Sequence, residues 1–268
     1  MFAEEEAALL LAEAISASAL ESMLARRVSG EPLEQVVGWA EFRGLRIHVE
    51  PRVFVPRRRT ELLVEEAIRI VRHEKHHPAP ADGAVRDVLP PFRVVDMCCG
   101  SGAMATAIAE EIDGVEVYAV DVDPAATRCA RRNLGQHGQV FTGDLFEPLP
   151  AGLGGRVDIL VANAPYVPSD AVSLMPPEAR DHEPRAALDG GPDGLDVQRR
   201  IIADAPAWLS PRGHLVVETG LAQVPGTLDA CTGAGLQGRV VRDDHLDATA
   251  VVATSGRRSV RPTRGAGA

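Results

Sequence analysis

Lysine is all but missing from this chain of 268 residues: Lys75 stands alone among 28 basic side chains. Coding bias accounts for that better than function does. No run approaches the about 20 consecutive apolar residues that span a bilayer. The opening Met1-Phe2-Ala3-Glu4-Glu5-Glu6 is acidic where a secretion leader is basic. A cytoplasmic protein without membrane contact is expected. Aromatic side chains are scarce, six Phe, two Tyr and two Trp, which leaves few platforms for stacking bases. The formal net charge of -10 argues against broad, phosphate-tracking binding of nucleic acid. Arg57, Arg58 and Arg59 form one basic cluster, and Arg257, Arg258, Arg261 and Arg264 another; solvated charge is the plainer reading of both, although a local basic groove stays open. Cys98, Cys99, Cys129 and Cys231 contain no C-x-x-C pair, so neither a zinc site nor a disulfide framework is signalled. They read as reduced, mostly buried fillers. His73, His76 and His77 lack the fuller ligand set of a structural metal site, and no metal is expected.

What is present is a foldable composition, 45% apolar and 25% charged, enough for one main domain and a small accessory segment. Residues 5–27 carry Leu9, Leu10, Ala14, Ile15, Leu20 and Leu24 at roughly helical spacing, which predicts one or two helices. Gly30-Glu31-Pro32 breaks the run. Leu45, Ile47 and Val49 alternate with Arg46 and His48, the pattern of a strand, and Val53-Phe54-Val55 is the expected partner. Thr60 stands where an N-cap would open a helix at Glu61. Residues 73–91 are rich in His, Pro and Asp and read as a linker or exposed loop. From Arg93 onward strand, turn and helix alternate, which predicts a mostly parallel α/β sheet. The last two strands, Gly238–Val241 and Ala248–Thr254, are too closely spaced for a crossover, so an antiparallel edge pair is expected. The division drawn is a short helical cap and β-hairpin (1–56), a connecting helix and linker (57–91), the main domain (92–255) and a disordered basic tail (256–268).

The strand ending at Met97 runs into Cys98-Cys99-Gly100-Ser101-Gly102. Glycines there allow a sharp turn and a close approach of backbone to ligand, and ligands of open parallel sheets sit beyond the carboxyl ends of strands. Asp121 ends the next strand about 20 residues on, placed to accept from both hydroxyls of a ribose. Gly100-x-Gly102-x-x-Ala105 also matches the dinucleotide fingerprint with Ala in third place, so an NAD-dependent enzyme is a rival. Asp96, on the first strand, favours a cationic ligand over a pyrophosphate: the sulfonium and amino group of S-adenosylmethionine are such cations. Asp144 and Leu145, after the third strand, are placed to meet an adenine. Asp96 and Asp144 as ordinary strand-end caps is the bland alternative.

A later strand, Val157–Val161, leads into Asn163-Ala164-Pro165-Tyr166. A Pro-containing turn after a strand is common, but this one opens into the same crevice. An amide nitrogen is a poor nucleophile, because its lone pair is delocalised into the carbonyl, and its two N–H groups need two acceptors to fix it. The Asn163 side-chain oxygen and the Ala164 carbonyl, stiffened by Pro165, supply two. They would aim the nitrogen and stabilise the positive charge that develops on it. Tyr166 would pack its ring on the flat group.

These residues resemble the HemK/PrmC-like protein-glutamine methyltransferases. The likeness runs from about Arg26 to Thr254. It takes in Gly30-Glu31-Pro32-Leu33, Glu41-Phe42-x-Gly44-Leu45, Val55-Pro56-Arg57 and Thr60-Glu61-Leu62-Leu63-Val64. It continues through Gly143-Asp144-Leu145-Phe146-Glu147-Pro148-Leu149, Glu183-Pro184-x-x-Ala187-Leu188-x-Gly190-Gly191, Asp193-Gly194-Leu195 and Glu218-x-Gly220-x-x-Gln223. The resemblance implies a class I S-adenosylmethionine-dependent methyltransferase: a Rossmann-like, seven-stranded, mostly parallel sheet with a small N-terminal helical segment and a β-hairpin. It implies S-adenosylmethionine as cofactor, S-adenosylhomocysteine as product and a protein carrying a glutamine as partner, the family's example being a peptide release factor. Asn163, Ala164, Pro165 and Tyr166 would be catalytic. Asp96, Cys98, Cys99, Gly100, Ser101, Gly102, Asp121, Asp144, Leu145 and Asn163 would line the cofactor.

Three departures bear on the partner. Ala164 stands where the family has Pro. Arg58 and Arg59 stand where it has Pro and Glu. The helical segment before Gly30 is shorter than the family's N-terminal domain, which helps to hold the release factor. An exocyclic amino methyltransferase acting on DNA or RNA bases and a non-catalytic cofactor-binding module therefore remain alternatives.

Overall fold

The computed structural model describes residues 3–76 and 91–255. Two short helices come first, α1 (Ala3–Glu13) and α2 (Ala17–Val28). Ser16 caps α2 by accepting from the Ala19 N–H at 3.1 Å, one of the donors that a helix leaves unpaired at its start. Beyond the break at Gly30 lies α3 (Leu33–Val37), a turn of helix that ends on Gly38 in the left-handed region. Leu10, Leu33 and Val36 give the cap a small core of its own.

A two-stranded hairpin follows, β1 (Trp39–Phe42) and β2 (Leu45–His48). The expected partner of β2 was the segment after it, and the structure corrects this. Arg43 and Gly44, with φ of 52° and 75°, make the tight turn that suits a hairpin, so β2 folds back on the residues before it. Val53 and Val55 are buried, but their backbone groups are taken by side chains: the Val53 carbonyl accepts from Gln35 Nε2, and the Val55 N–H donates to Glu183. A 3-10 turn over Arg58–Thr60 leads into α4 (Glu61–His76). That helix takes in the first residues of the expected linker, whose remainder lies outside the described residues, as do the tail and its arginines.

The main domain runs β3 (Phe92–Met97), α5 (Ala103–Glu111), β4 (Val115–Asp121), α6 (Pro124–Leu134), β5 (Gly138–Thr142), β6 (Val157–Ala162), α7 (Pro177–His182), α8 (Asp196–Trp208), β7 (Leu209–Glu218), α9 (Val224–Gly233), β8 (Leu236–Asp243) and β9 (Ala248–Ser255). The seven strands β3–β9 form one sheet in the order β5-β4-β3-β6-β7-β9-β8. The first five pair in parallel. β9 lies antiparallel between β7 and β8, so the expected antiparallel pair is present and only β8 is the edge. Alternate residues of the central strands feed two cores. Val94, Ile159 and Val216 pack with α4 and α5 on one face, and Val95, Leu160 and Leu215 with α8 on the other. Sheets covered on both faces require such unbroken apolar strands; each buried Val, Leu or Ile contributes about 1.5–3 kcal/mol. The chain winds one way from β3 to β5 and the other way from β6 to β7. The switch point between β3 and β6 opens a crevice beyond their carboxyl ends. Among the described residues no helix is long and apolar enough to cross a membrane.

Candidate active site

The loop Cys98–Gly102 rises from β3 into that crevice. Cys98 takes φ of 60°, a strained value for a residue with a side chain. The Cys99 N–H donates to the Val120 carbonyl and the Gly100 N–H to Asp121 Oδ2, both at 2.9 Å. Gly102 has φ of 76°, and a Cβ there would lie 2.9 Å from that of Ala130 on α6. It seats the loop on α6 and does not line the cavity, whereas Cys98, Cys99, Gly100 and Ser101 do. Burial pushes the Cys98 and Cys99 thiols up, so both stay protonated.

The cavity has a volume of about 610 Å³, within the range of small-molecule sites. Asp121 at the end of β4 lines it. Oδ1 accepts from the Asp123 N–H and Oδ2 from the Gly100 N–H, which leaves each oxygen a lone pair for a ribose hydroxyl. Burial raises the Asp121 pKa against the pull of those N–H groups. Leu145, at φ of 47°, and Val122 give the cavity an apolar wall. Asp144 lies at the rim, where its carboxylate takes Arg200 at 2.7 Å.

Asp96 is placed differently from the loop residues that follow it. It is fully buried and lies beneath the loop, away from the cavity lining. Oδ2 accepts from the Ala105 N–H at 2.9 Å, and Oδ1 has no hydrogen-bond partner among the described residues. Burial pushes its pKa to about 8. Asp96 occupies the N-terminus of α5, where a dinucleotide enzyme would receive pyrophosphate.

Asn163 marks the end of the cavity. It also lines a smaller cleft of about 40 Å³ together with Ala164 and Tyr166, so that Asn163, Phe54 and Ala187 form the wall shared by the two spaces. Pro165 faces the larger one. Asn163 Nδ2 donates to Thr60 Oγ1 at 3.1 Å, and that hydroxyl donates to Glu218 Oε2 at 2.7 Å. Tyr166 donates its hydroxyl to Glu218 Oε1 at 3.2 Å. Arg59 lies 3.3 Å from the same oxygen, with its guanidinium 5.8 Å from the Tyr166 ring centre. Burial raises the pKa of Glu218 and, aided by the Glu218 charge, that of Tyr166.

Thr60, Arg59 and Glu218 were not among the residues singled out for the site. Thr60 was read as a helix cap, whereas its hydroxyl joins Asn163 to Glu218. The signal for Glu218 was its place at the carboxyl end of β7, inside the Glu218-x-Gly220-x-x-Gln223 motif. Motifs distant in sequence close around the cleft: Arg57 donates to both oxygens of buried Glu183 at 2.7 and 2.8 Å, and Gln223 Nε2 donates to the Tyr166 carbonyl at 2.8 Å.

Residues 87–176 match the family model described as "Methyltransferase small domain". A release factor glutamine methyltransferase of Geobacter sulfurreducens is 39% identical over 81% of this chain and 71% of its own. A ribosomal protein uL3 glutamine methyltransferase of Bordetella pertussis is 40% identical over 74% of this chain and 63% of its own. Among solved structures, a 16S rRNA N2 G1207 methyltransferase of T. thermophilus, in complex with AdoMet and guanosine, covers 81% of this chain and 50% of its own, with a TM-score of 0.55 and 21% identity. That likeness concerns the fold, which is the class I methyltransferase fold. With the sequence identities and the site geometry together, the chain belongs to the S-adenosylmethionine-dependent protein-glutamine methyltransferases.

Proposed function

We propose that the chain methylates the side-chain amide nitrogen of a glutamine in a protein of the translation machinery, with a peptide release factor as the first candidate. Such a partner would place the enzyme in the cytoplasm. The observation that carries the reading is the shared wall at Asn163, between a cofactor-sized cavity and a cleft of about 40 Å³. A water needs about 10–15 Å³ of such space, so the cleft suits three or so heavy atoms, the size of a carboxamide. A nucleobase exceeds it.

The cavity fits S-adenosylmethionine on two counts. Asp121 offers two free lone pairs for a ribose, and the wall beside it is apolar where an adenine would lie. Cys98, Cys99, Gly100, Ser101 and Leu145 would line the bound molecule, and Asp144 would stand at its rim. Gly102 and Asp96 would act from beneath, the one by seating the loop and the other by holding the Ala105 N–H. When bound, the cofactor supplies an electrophilic methyl group on a sulfonium. Asn163 Oδ1 and the Ala164 carbonyl would accept the two N–H groups of the incoming amide and hold its nitrogen toward the cavity. Tyr166 would flank the amide plane. Transfer of that methyl group to the held nitrogen would be balanced by loss of one of the nitrogen's protons to solvent. Both acceptors are strongest for a nitrogen that gains positive charge, which is the condition for lowering the barrier.

The test is incubation with methyl-labelled S-adenosylmethionine and, separately, release factor, ribosomal protein uL3 and RNA of the same host, followed by peptide mass spectrometry. Label on a glutamine of release factor is expected. Label on uL3 alone would replace the named partner and keep the chemistry; label on RNA would overturn both.

A further inference from the structure

Glu218 is buried and accepts the Thr60 hydroxyl at 2.7 Å. A buried carboxyl group needs a role that offsets its desolvation. The chemistry of its partners supplies one. A carboxylate only accepts hydrogen bonds, so the single proton of Thr60 must point at Glu218. The Thr60 oxygen is then left with lone pairs alone toward Asn163, and Nδ2 must be the end of the amide that meets it, at 3.1 Å. Asn163 Oδ1 is thereby turned the other way.

Resting on the proposed function, we infer that Glu218 is a positioning residue: through Thr60 it fixes which end of the Asn163 amide faces the substrate, and so keeps an acceptor there. An amide flipped by half a turn would present N–H to N–H, and the substrate nitrogen would be repelled. The other oxygen of Glu218 holds the Tyr166 hydroxyl and faces Arg59, so one carboxylate orders both the acceptor and the flanking ring. Its own backbone is held from behind, where Gln198 Nε2 donates to the Glu218 carbonyl at 2.8 Å.

The test uses the full chain and whichever acceptor the wild type labels. Thr60→Val keeps the shape and removes the relay. It should lower kcat by about 10–100-fold, somewhat less than loss of a directly contacting group, while the Kd for S-adenosylhomocysteine changes less than about threefold. Thr60→Ser should recover most of that loss. Glu218→Gln, whose amide can donate to Thr60 and reverse the chain, should fall between, near tenfold. In an Asn163→Ala background, Thr60→Val should cost less than about twofold more, because the residue it acts through is gone. Wild-type kcat in Thr60→Val or in Glu218→Gln, or full additivity with Asn163→Ala, would overturn the assignment. A second readout needs no methyl acceptor and so separates this inference from the proposed function. In 15N-labelled protein bound to S-adenosylhomocysteine, the Asn163 side-chain N–H facing Thr60 should be protected from solvent exchange. That protection should vanish in Thr60→Val, and equal exchange in the two proteins would overturn the relay.

Discussion

Replacing Asp121 by Ala separates a proposed cofactor ligand from a loop support, because the structure shows the second role and the proposed function adds the first. Each oxygen accepts one backbone N–H, from Gly100 and from Asp123. Losing those bonds at a half-buried site should cost about 1–3 kcal/mol of stability. For a chain of this size that lowers Tm by a few degrees per kcal/mol, about 2–4 °C. The remaining lone pairs are assigned to two ribose hydroxyls. Hydrogen bonds to a charged acceptor contribute about 1.5–3 kcal/mol each, and the crevice is open to water, so the lower end applies. About 3 kcal/mol in total corresponds to a Kd for S-adenosylhomocysteine weaker by roughly a hundredfold, at 1.4 kcal/mol per factor of ten. Calorimetric titration measures it, with a thermal melt of the same sample. Asn163→Ala serves as the control at the far end of the cavity. A drop in Tm with Kd changed less than threefold would make Asp121 a support for the loop and nothing more.

Asn163→Ala should lower kcat by roughly a hundredfold or more, as loss of a preorganised polar group does, and leave the Kd for S-adenosylhomocysteine within a few-fold; equal losses in both would assign Asn163 to the cofactor alone. Gly102→Ala forces a Cβ into a left-handed position 2.9 Å from that of Ala130, so a loss of about 1–3 kcal/mol is expected in urea unfolding, and an unchanged midpoint would remove the packing argument. Asp96 has a folded-state pKa of about 8 against an ordinary 3.8. The folded chain therefore holds a proton that the unfolded chain has released between those values, and stability from this group is complete below about pH 4 and is lost as pH rises toward 8. Urea midpoints at pH 5 and pH 8 should differ less in Asp96→Asn than in wild type; an unchanged difference would mean that Asp96 is ionised in the fold.

The cofactor half of the molecule was legible because its signals are local. Most strands of the parallel sheet announce themselves as apolar runs, and residues that line the cavity follow directly: Gly100 after β3, Asp121 at the end of β4, Leu145 after β5. Strand-end position carried that reading, and Asp96 shows where position and direction part. Asp96 lies one residue before the strand's end, and its side chain points down into the N-terminus of α5, away from the cavity. The hairpin was misread for a related reason. Val53 and Val55 have the apolar alternation of a strand, but two long-range side chains, Gln35 and Glu183, satisfy their backbone, and no local pattern encodes a bond to a residue 128 positions away.

The cleft around Asn163 is built largely from such contacts. Asn163 meets Thr60 across 103 residues and Thr60 meets Glu218 across 158. Ser, Thr and Asn before a helix are read as caps because that bond is local and common. Thr60 has the right address for a cap, yet its hydroxyl is committed elsewhere, held between an amide and a buried acid. Only proximity in the fold reveals that commitment. The same reasoning bears on Arg59. As sequence it was a departure bearing on the partner, but its guanidinium faces the Glu218 carboxylate and the Tyr166 ring. Arg58 and Arg59 are both exposed, but Arg59 is partly neutralised by its ion pair with Glu218. Of the two arginines that depart from the family pattern, Arg58 is thus the one whose charge is less committed within the site.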